Sequence, residues 1–354
     1  MPDANATPLR FVDAVRDGLD VAMQLDPHLI CYGLGVDDPK RIFGTTAGLA
    51  EKYGNDRVFD VPTSEAAMTG IAVGAALRGV RSVTVHQRLD FFFLAMDQLV
   101  NNAAKWHFMF GGQRSVPIVI RLILGRGWGQ GPTHSQSVHS WFAHIPGLKV
   151  VMPTNAVDAK GLLLSAIFDP NPVLFLEHRW LHESVSAVPS GDYRVPLGQA
   201  RVVGEGADVT IVGMSYLVPE AARAAELLKQ HGISCDIIDL RSIRPLDWDT
   251  VSASVTKTGR VLALDSGLPV CSIASEIVAF ASERHFSSLR AAPRRLTMPD
   301  HPEPTSFGLT RDLHPSAEGI ANTVCEMLGL NHRFAPDPKA GPHDVPGAWF
   351  KGPF

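Results

Sequence analysis

Short β-rich runs alternate with longer helical patterns along this chain, and this alternation limits the possible folds more than any other feature. In the first half the runs at 29–32, 58–61, 82–86, 118–122, 149–152 and 173–176 are predicted strands. Helical patterns lie between several of them, at 65–78, 92–108 and 156–169. Strands and helices that alternate in this way are typical of a parallel sheet covered by helices. The sequence therefore predicts an α/β fold.

The alternation restarts after a weakly patterned stretch, 181–200, which holds two prolines and two glycines. Strand patterns at 208–212, 234–239 and 260–265 then alternate with helical patterns at 218–231 and 249–258, and Gly232 fits a left-handed helix cap. A chain of 354 residues also exceeds the usual size of one domain. We predict two domains, each with a parallel or mostly parallel sheet, over 1–182 and 201–330. A linker at 183–200 would join them, and a proline- and glycine-rich arm would follow at 331–354.

Composition narrows the class of protein. The net charge is −4 with scattered Lys and Arg, which gives no electrostatic footprint for nucleic acid. The four cysteines are far apart and form no Cys-x-x-Cys pair, so neither a disulfide framework nor a zinc ribbon is expected. The first residues do not resemble a signal peptide, and no apolar stretch reaches the roughly 18–20 residues of a membrane helix. We expect a soluble, cytoplasmic protein that binds no membrane.

Two residues are candidates for acid–base chemistry, a glutamate after a predicted strand and a histidine after a glycine-rich loop. Glu65 closes the segment Asp60-Val-Pro-Thr-Ser-Glu65, between a strand and a helix, and it could serve simply as a first-turn acid favoured by the helix dipole. His134 closes the glycine-rich run Gly125-Arg-Gly-Trp-Gly-Gln-Gly-Pro-Thr-His134. That run matches neither dinucleotide nor Walker spacing, so phosphate binding is weakly indicated. Histidine suits proton transfer near neutral pH.

A metal site built on His134, His139 and His144 is not expected. Positions five apart on a helix are rotated by about 140° from one another, so the three side chains could not share one helix face.

Three further sequence segments, together with those of Glu65 and His134, indicate a protein family. Between the acid and the base lie Asp90-Phe-Phe-Phe and Asp97-Gln-Leu-Val-Asn-Asn-Ala-Ala-Lys, and the second half contains Asp239-Leu-Arg-Ser-Ile-Arg-Pro-Leu-Asp. Together these segments resemble the β subunit of the thiamine-diphosphate-dependent 2-oxo acid dehydrogenase E1 component, a relative of transketolase. The resemblance covers roughly residues 10–330. It implies a transketolase-like pyrimidine-binding domain followed by a transketolase C-terminal domain.

The resemblance also implies roles for single residues. The glutamate matching Glu65 hydrogen-bonds N1′ of the cofactor's aminopyrimidine ring in this family, and an aromatic residue matching Phe91 stacks on that ring. Gln87 is expected beside the cofactor, and the histidine matching His134 faces the reacting carbon. For Phe91 core packing is the alternative, since this is the commoner fate of adjacent aromatic residues.

Two positions depart from the family pattern near the expected cofactor. Val85 stands where an acidic residue is usual, and Arg88 replaces an apolar or aromatic residue. A polar or anionic substrate is one interpretation of these changes. A solvent-facing His86 with a structural Arg88 is an equal alternative.

The resemblance implies metals and a partner as well. A potassium ion would lie among residues matching Ile118, Ala166, Ile167, Asp169 and Asn171, although an ordinary turn explains Asp169-Pro-Asn-Pro equally well. The family holds the diphosphate and Mg²⁺ with a Gly-Asp-Gly motif on an α subunit, and this chain has no such motif. We therefore expect an α subunit in an α2β2 heterotetramer, with an active site shared between the subunits.

The leading hypothesis is an E1 β subunit that, with its α subunit, decarboxylates a pyruvate-like or branched 2-oxo acid and passes the acyl group to a lipoyl carrier on an acyltransferase E2. The alternative is a split-subunit thiamine-diphosphate lyase or ligase outside such a complex. A hydrolase built on Ser215 in Gly213-Met-Ser-Tyr-Leu is a third hypothesis, weakened by the missing second glycine. A non-catalytic binding subunit is the last, and the presence of Glu65 and His134 argues against it.

Overall fold

The computed structural model describes residues 6–37, 42–336 and 341–347. These residues divide into two compact units. The first comprises the described residues of Met1–Gly125 and Trp141–Leu197, and the second those of Arg126–Ser140 and Gly198–Pro353. From Arg126 onward, the glycine-rich run that ends at His134 therefore belongs to the second unit, although the neighbouring sequence on both sides belongs to the first unit.

The first unit is built on a parallel sheet with helices packed against it. The strands of this unit are β1 Thr7–Arg10, β2 Ile30–Gly33, β3 Val58–Asp60, β4 Ser82–His86, β5 Ile118–Leu124, β6 Lys149–Val151, β7 Val173–His178 and β8 Val185–Val188. Six of them form the sheet in the order β6-β7-β5-β4-β2-β3, and β4, β5 and β7 are buried along their whole length, as expected for a sheet covered on both faces. The helices are α1 Phe11–Leu25, α2 Leu49–Tyr53, α3 Glu65–Leu77, α4 Leu89–Phe92, α5 Ala104–Met109 and α7 Ala156–Ile167. Strand β8 lies in the stretch expected to be a linker and pairs antiparallel with β1.

The strand order of this sheet reverses between β2 and β4. The chain continues from β2 to β3 on one side, and from β4 to β5 on the other. At this point the strands approach so closely that a Cβ atom on Gly33 would lie 2.1 Å from the Val85 carbonyl oxygen. The Leu34 N–H donates to the same oxygen at 3.1 Å. Crevices at the carboxyl ends of strands around such a reversal are the usual ligand sites of α/β sheets.

The single helix predicted over 92–108 is broken in the structure. After α4 the chain forms a 3₁₀ turn at Phe93–Ala95, a π-helical segment at Gln98–Ala103 and then α5. Its buried side chains still recur at helical intervals, and these are Leu89, Phe92, Ala95, Leu99 and Ala103. The apolar pattern therefore could not distinguish this segment from a continuous helix.

The strands of the second unit are β9 Arg201–Gly204, β10 Val209–Gly213, β11 Cys235–Asp239, β12 Ser242–Arg244, β13 Val261–Leu264 and β14 Arg294–Leu296, and its helices are α8 Leu217–Lys229, α9 Trp248–Thr258, α10 Ile273–His285 and α11 Ala317–Met327. Five of these strands form a sheet with the order β14-β13-β10-β11-β9. Its pairings are parallel except that β9 runs antiparallel to β11. Helix α6, His139–Ala143, begins in residues of the second unit and ends in residues of the first. The predicted α/β class with mostly parallel sheets is confirmed.

The expected cap at Gly232 has the left-handed backbone, with φ of 74°, and its N–H donates to the Lys229 carbonyl at 3.0 Å. None of the helices in residues 6–37, 42–336 and 341–347 is long and apolar enough to cross a membrane.

Candidate active site

A cavity of about 500 Å³ opens where the strand order of the first unit reverses. Residues at or after the carboxyl ends of β2, β3 and β4 line it, namely Leu34, Gly35, Asp60, Val61, Thr63, Glu65, Gln87, Phe91 and Leu94. Its volume is in the range of sites for small molecules and cofactors. The structure thus brings Glu65, Gln87 and Phe91, which are predicted site residues, into one cavity.

Glu65 is both the first residue of α3 and a member of the cavity lining. Its side chain is buried, with 4% of the residue exposed. A hydrogen bond connects the first turn of α3 to the sheet, because the Tyr32 hydroxyl on β2 donates to the Met68 carbonyl at 2.7 Å. A carboxylate in the first turn is also favoured by the helix dipole. Both interpretations of Glu65 from the sequence therefore agree with its position.

The two adjacent aromatic residues of α4 face different surroundings. The half-buried Phe91 lines the cavity, as does Gln87 just beyond the end of β4. Phe92 is fully buried and makes an edge contact with His86, with ring centroids 4.9 Å apart. Phe91 therefore offers a ring to a ligand, while Phe92 fills the core behind it.

His86 and Arg88 are both buried, and neither belongs to the described lining of the cavity. Burial lowers the pKa of His86 to about 3, so its ring is neutral at physiological pH. Burial also lowers the pKa of Arg88. The solvent-facing alternative for His86 is wrong, because this strand is covered on both faces.

His134 lies at the end of a loop with an unusual backbone in the second unit. Gly127, Trp128, Gly129 and Gly131 all have positive φ, between 58° and 78°. Glycine adopts this conformation without strain, whereas a tryptophan adopts it rarely. The His134 N–H donates to the Gly131 carbonyl at 3.3 Å, and the Thr133 hydroxyl lies 3.1 Å from His134 Nδ1.

A buried carboxyl group holds the beginning of this loop. Glu303 Oε1 accepts the Gly127 N–H at 2.6 Å. Glu303 Oε2 lies 3.2 Å from His314 Nε2, without the alignment of a hydrogen bond. Burial raises the pKa of Glu303 to about 7, although the Gly127 N–H and Arg126 act in the opposite direction. Burial lowers the pKa of His314 to about 2, so that ring is neutral.

A second carboxyl group holds the far end of the loop. His139 Nε2 lies 2.9 Å from Asp265 Oδ1 just after β13, at an angle that falls short of a well-aligned hydrogen bond. The Gly267 N–H donates to the same oxygen at 2.7 Å. Burial acts to raise the pKa of Asp265, but His139 and the neighbouring N–H groups lower it overall, so this carboxylate is ionised. The loop is therefore anchored on both sides of His134.

Comparison with known proteins identifies the family. Residues 8–183 match the model of the transketolase pyrimidine-binding domain, and residues 198–320 match that of the transketolase C-terminal domain. The chain is 43% identical over 325 residues to the pyruvate dehydrogenase E1 component subunit beta-1 of Oryza sativa subsp. japonica, covering 91% of this chain and 87% of the relative. The chain belongs to the transketolase-like E1 β family.

Other members of this family differ in their named substrates. The acetoin:2,6-dichlorophenolindophenol oxidoreductase subunit beta of Cupriavidus necator is 41% identical and covers 90% of this chain and 97% of the relative. The 2-oxoisovalerate dehydrogenase subunit beta of Dictyostelium discoideum is also 41% identical, with 84% and 81% covered. Among solved structures, the inactive β4 tetramer of a split-gene transketolase shares the fold, with a TM-score of 0.73 at 20% identity over 92% of this chain and 99% of that one.

The turn expected to hold potassium in this E1 β-like chain already contains two protein cations. Arg81 Nη1 donates to the carbonyl oxygens of Ile167 and Asp169, at 3.0 and 3.1 Å. Lys149 Nζ pairs with Asp169 Oδ2, and the Asn171 N–H donates to Asp169 Oδ1 at 2.9 Å. Ala166 is the residue before the end of α7 at Ile167, and Ile118 is the first residue of β5.

Several residues of the site were not identified from the sequence. Asp60 lines the cavity, and its Oδ1 accepts the Val36 N–H at 2.5 Å. Its place at the end of a predicted strand could have indicated it. Glu303 and Asp265 hold the loop of His134 from distant parts of the chain, and no local pattern points to them. A second cavity of about 500 Å³, in the second unit, contains no predicted site residue in its described lining.

Proposed function

We propose that this chain is the β subunit of a thiamine-diphosphate-dependent E1 component that acts on a 2-oxo acid. With an α subunit, it would release the carboxyl group of a pyruvate-like or branched 2-oxo acid as CO₂. The remaining acyl group would pass to one sulfur of an oxidised lipoyl group, leaving the other sulfur as a thiol. The buried Glu65 in a cavity with Phe91 and Gln87, in an E1 β-like chain, carries this proposal.

The cavity fits the pyrimidine end of the cofactor. It offers a buried carboxyl group, an amide and the ring of Phe91, which suit the ring nitrogen, the polar edge and the flat face of an aminopyrimidine. An aromatic contact of this kind is worth about 1 kcal/mol beyond the area it buries. When bound, thiamine diphosphate supplies a carbon nucleophile for the oxo group and an electron sink for decarboxylation.

The chain's own residues would handle protons and orientation. The Glu65 carboxyl group would share a proton with N1′ of the pyrimidine, which favours the basic imino form of that ring. Phe91 and Gln87 would fix the plane and rotation of the ring. His134 would donate or accept a proton at the substrate, and the anchored loop would limit its movement.

The diphosphate end requires a partner. We propose an α subunit that supplies the diphosphate and Mg²⁺ ligands, in an α2β2 heterotetramer, and a lipoyl acyltransferase E2 as acceptor. This chain has no Gly-Asp-Gly motif, which supports a divided site. A cytoplasmic location stays a prediction, since the rice relative is named as mitochondrial.

We also propose potassium at the turn after α7. A carbonyl oxygen has two lone pairs, so the Ile167 and Asp169 carbonyls can contact an ion in addition to Arg81. Ile118, Ala166 and Asn171 would complete the set.

A split-subunit lyase or ligase is the second candidate. The relative named for acetoin is nearly as similar to this chain as the one named for pyruvate, at 41% against 43%. Acetoin is a hydroxyketone and not a 2-oxo acid. Sequence identity to these relatives therefore supports the proposed cofactor chemistry more firmly than it supports a particular substrate.

Turnover by the assembled α–β complex tests the proposal. We expect CO₂ release from pyruvate or a branched 2-oxo acid, with thioester formation on a lipoyl domain. Glu65→Gln should slow both turnover and deuterium exchange at the thiazolium carbon by roughly 10²–10⁴-fold. Glu51→Gln, on an exposed part of α2, is the matched control. Cleavage of acetoin alone would favour the second candidate, and unchanged exchange in Glu65→Gln would contradict the proposed role of Glu65.

A further inference from the structure

The segment Gly341–Gly347 lies beyond both matched family domains, which end at residues 183 and 320. It forms a turn in which the Val345 N–H donates to the Pro342 carbonyl at 3.4 Å. His343 Nε2 lies 2.9 Å from the Thr310 hydroxyl, and its ring lies against Phe307 at a centroid distance of 4.3 Å. Among these seven residues Asp344 is the buried one, with 8% exposed.

Asp344 contacts the loop of His134 through both its side chain and its backbone. Its Oδ2 accepts the Trp128 N–H at 3.1 Å. Its carbonyl oxygen would lie 2.3 Å from a Cβ atom on Gly127, so only glycine permits this approach. Trp128 itself has φ of 58°, which is unfavourable for a residue with a side chain. The hydrogen bond to Asp344 stabilises the loop at this strained residue.

The segment 303–305 contacts the same loop at other points. Glu303 accepts the Gly127 N–H, and the Thr305 hydroxyl would lie 2.4 Å from a Cβ atom on Gly131. The guanidinium of Arg126 is buried and interacts electrostatically with Glu303 and Asp344. Two consecutive N–H groups of this glycine-rich loop are thus held by carboxyl groups of two separate segments.

We propose that the C-terminal segment Gly341–Gly347 positions the loop that carries His134, with Asp344 as the positioning residue. The benefit for catalysis rests on the proposed function, because it depends on the role of His134. The effect on the loop does not depend on it. Glycine-rich loops lose much conformational freedom on ordering, so a contact that restricts the loop keeps its histidine in one place.

Amide hydrogen exchange, followed by mass spectrometry in the assembled complex, tests the positioning directly. Asp344→Ala should raise exchange over residues 127–134 by roughly tenfold, since the Trp128 N–H loses its side-chain acceptor. Asp344→Asn retains an oxygen acceptor and should restore most of the protection. Val345→Ala, on the neighbouring residue, should leave the loop unchanged. Equal exchange in Asp344→Ala and the wild type would overturn the proposal.

Turnover separates this proposal from the proposed function. Asp344→Ala should lower kcat more than it changes KM, and combining it with His134→Ala should cause little further loss, because both changes affect one group. Independent, multiplying losses would contradict positioning through His134. Normal turnover in His134→Ala would refute the proposed role of His134, while the exchange result would still decide whether Asp344 holds the loop.

Discussion

At the scale of single residues, the buried Glu303 beside the loop of His134 should make the stability of the fold depend on pH. Burial raises its pKa from 4.5 to about 7, so the folded protein holds this proton more tightly than the unfolded chain. The resulting stabilisation is complete below pH about 4.5 and is lost as the pH rises to about 7. The difference corresponds to roughly 3 kcal/mol. We expect Glu303→Gln to gain stability relative to the wild type by about this amount between pH 5 and pH 8.

Denaturant unfolding at several pH values measures this gain. Glutamine keeps an oxygen for the Gly127 N–H, so the variant tests the titration and not the loss of that hydrogen bond. Glu283→Gln makes the same chemical change at an exposed position of α10 and serves as the control. A stability difference between Glu303→Gln and the wild type that stays constant from pH 5 to pH 8 would contradict the prediction.

At the scale of elements, the C-terminal end of α7 is the place where a bound cation would stabilise the fold. Carbonyl groups at a helix C-terminus lack intrahelical partners and carry partial negative charge. Arg81 and Lys149 already compensate part of this negative charge.

We expect potassium to add about 1.4 kcal/mol to the free energy of unfolding at ten times its Kd, relative to choline at equal ionic strength. Thermal unfolding in the two salts measures it, with Asp169→Asn expected to respond less. Equal midpoints of thermal unfolding in the two salts would contradict the proposed potassium site.

The elements that could be predicted from the sequence are those defined by buried apolar runs. Strand β5 is predicted at 118–122 and lies at Ile118–Leu124, because a strand covered on both faces is a nearly continuous apolar run. The break in the helix after Phe92 was not predictable, because its buried side chains keep helical spacing. Glu65 and Gln87, two of the nine described lining residues of the cavity, follow the predicted ends of β3 and β4 in the sequence, and the resemblance implied their roles.

The anchors of the His134 loop could not be predicted, for a physical reason. Glu303 and Asp344 accept N–H groups 176 and 216 positions away in the chain. Backbone hydrogen bonds to distant carboxylates leave no periodicity or spacing in the sequence. The same limit applies to Asp265 beside His139.

At the scale of the whole molecule, the cavity residues described above would contact one end of the proposed cofactor. The cavity of the first unit offers Glu65, Gln87 and Phe91 to a pyrimidine ring. The proposed function assigns the diphosphate and Mg²⁺ to an α subunit. Charge-assisted hydrogen bonds are worth about 1.5–3 kcal/mol each, so the diphosphate end should supply much of the binding energy.

We therefore expect this chain alone to bind thiamine diphosphate at least about 100-fold more weakly than the α–β complex does, in the presence of Mg²⁺. Isothermal titration of the cofactor into each preparation measures both constants. Thiamine without its diphosphate is the control, and its affinity should differ much less between the two preparations, because it presents only the groups that this chain would contact. Equally tight, magnesium-dependent binding by this chain alone would refute the divided site, since the diphosphate ligands would then have to lie within it.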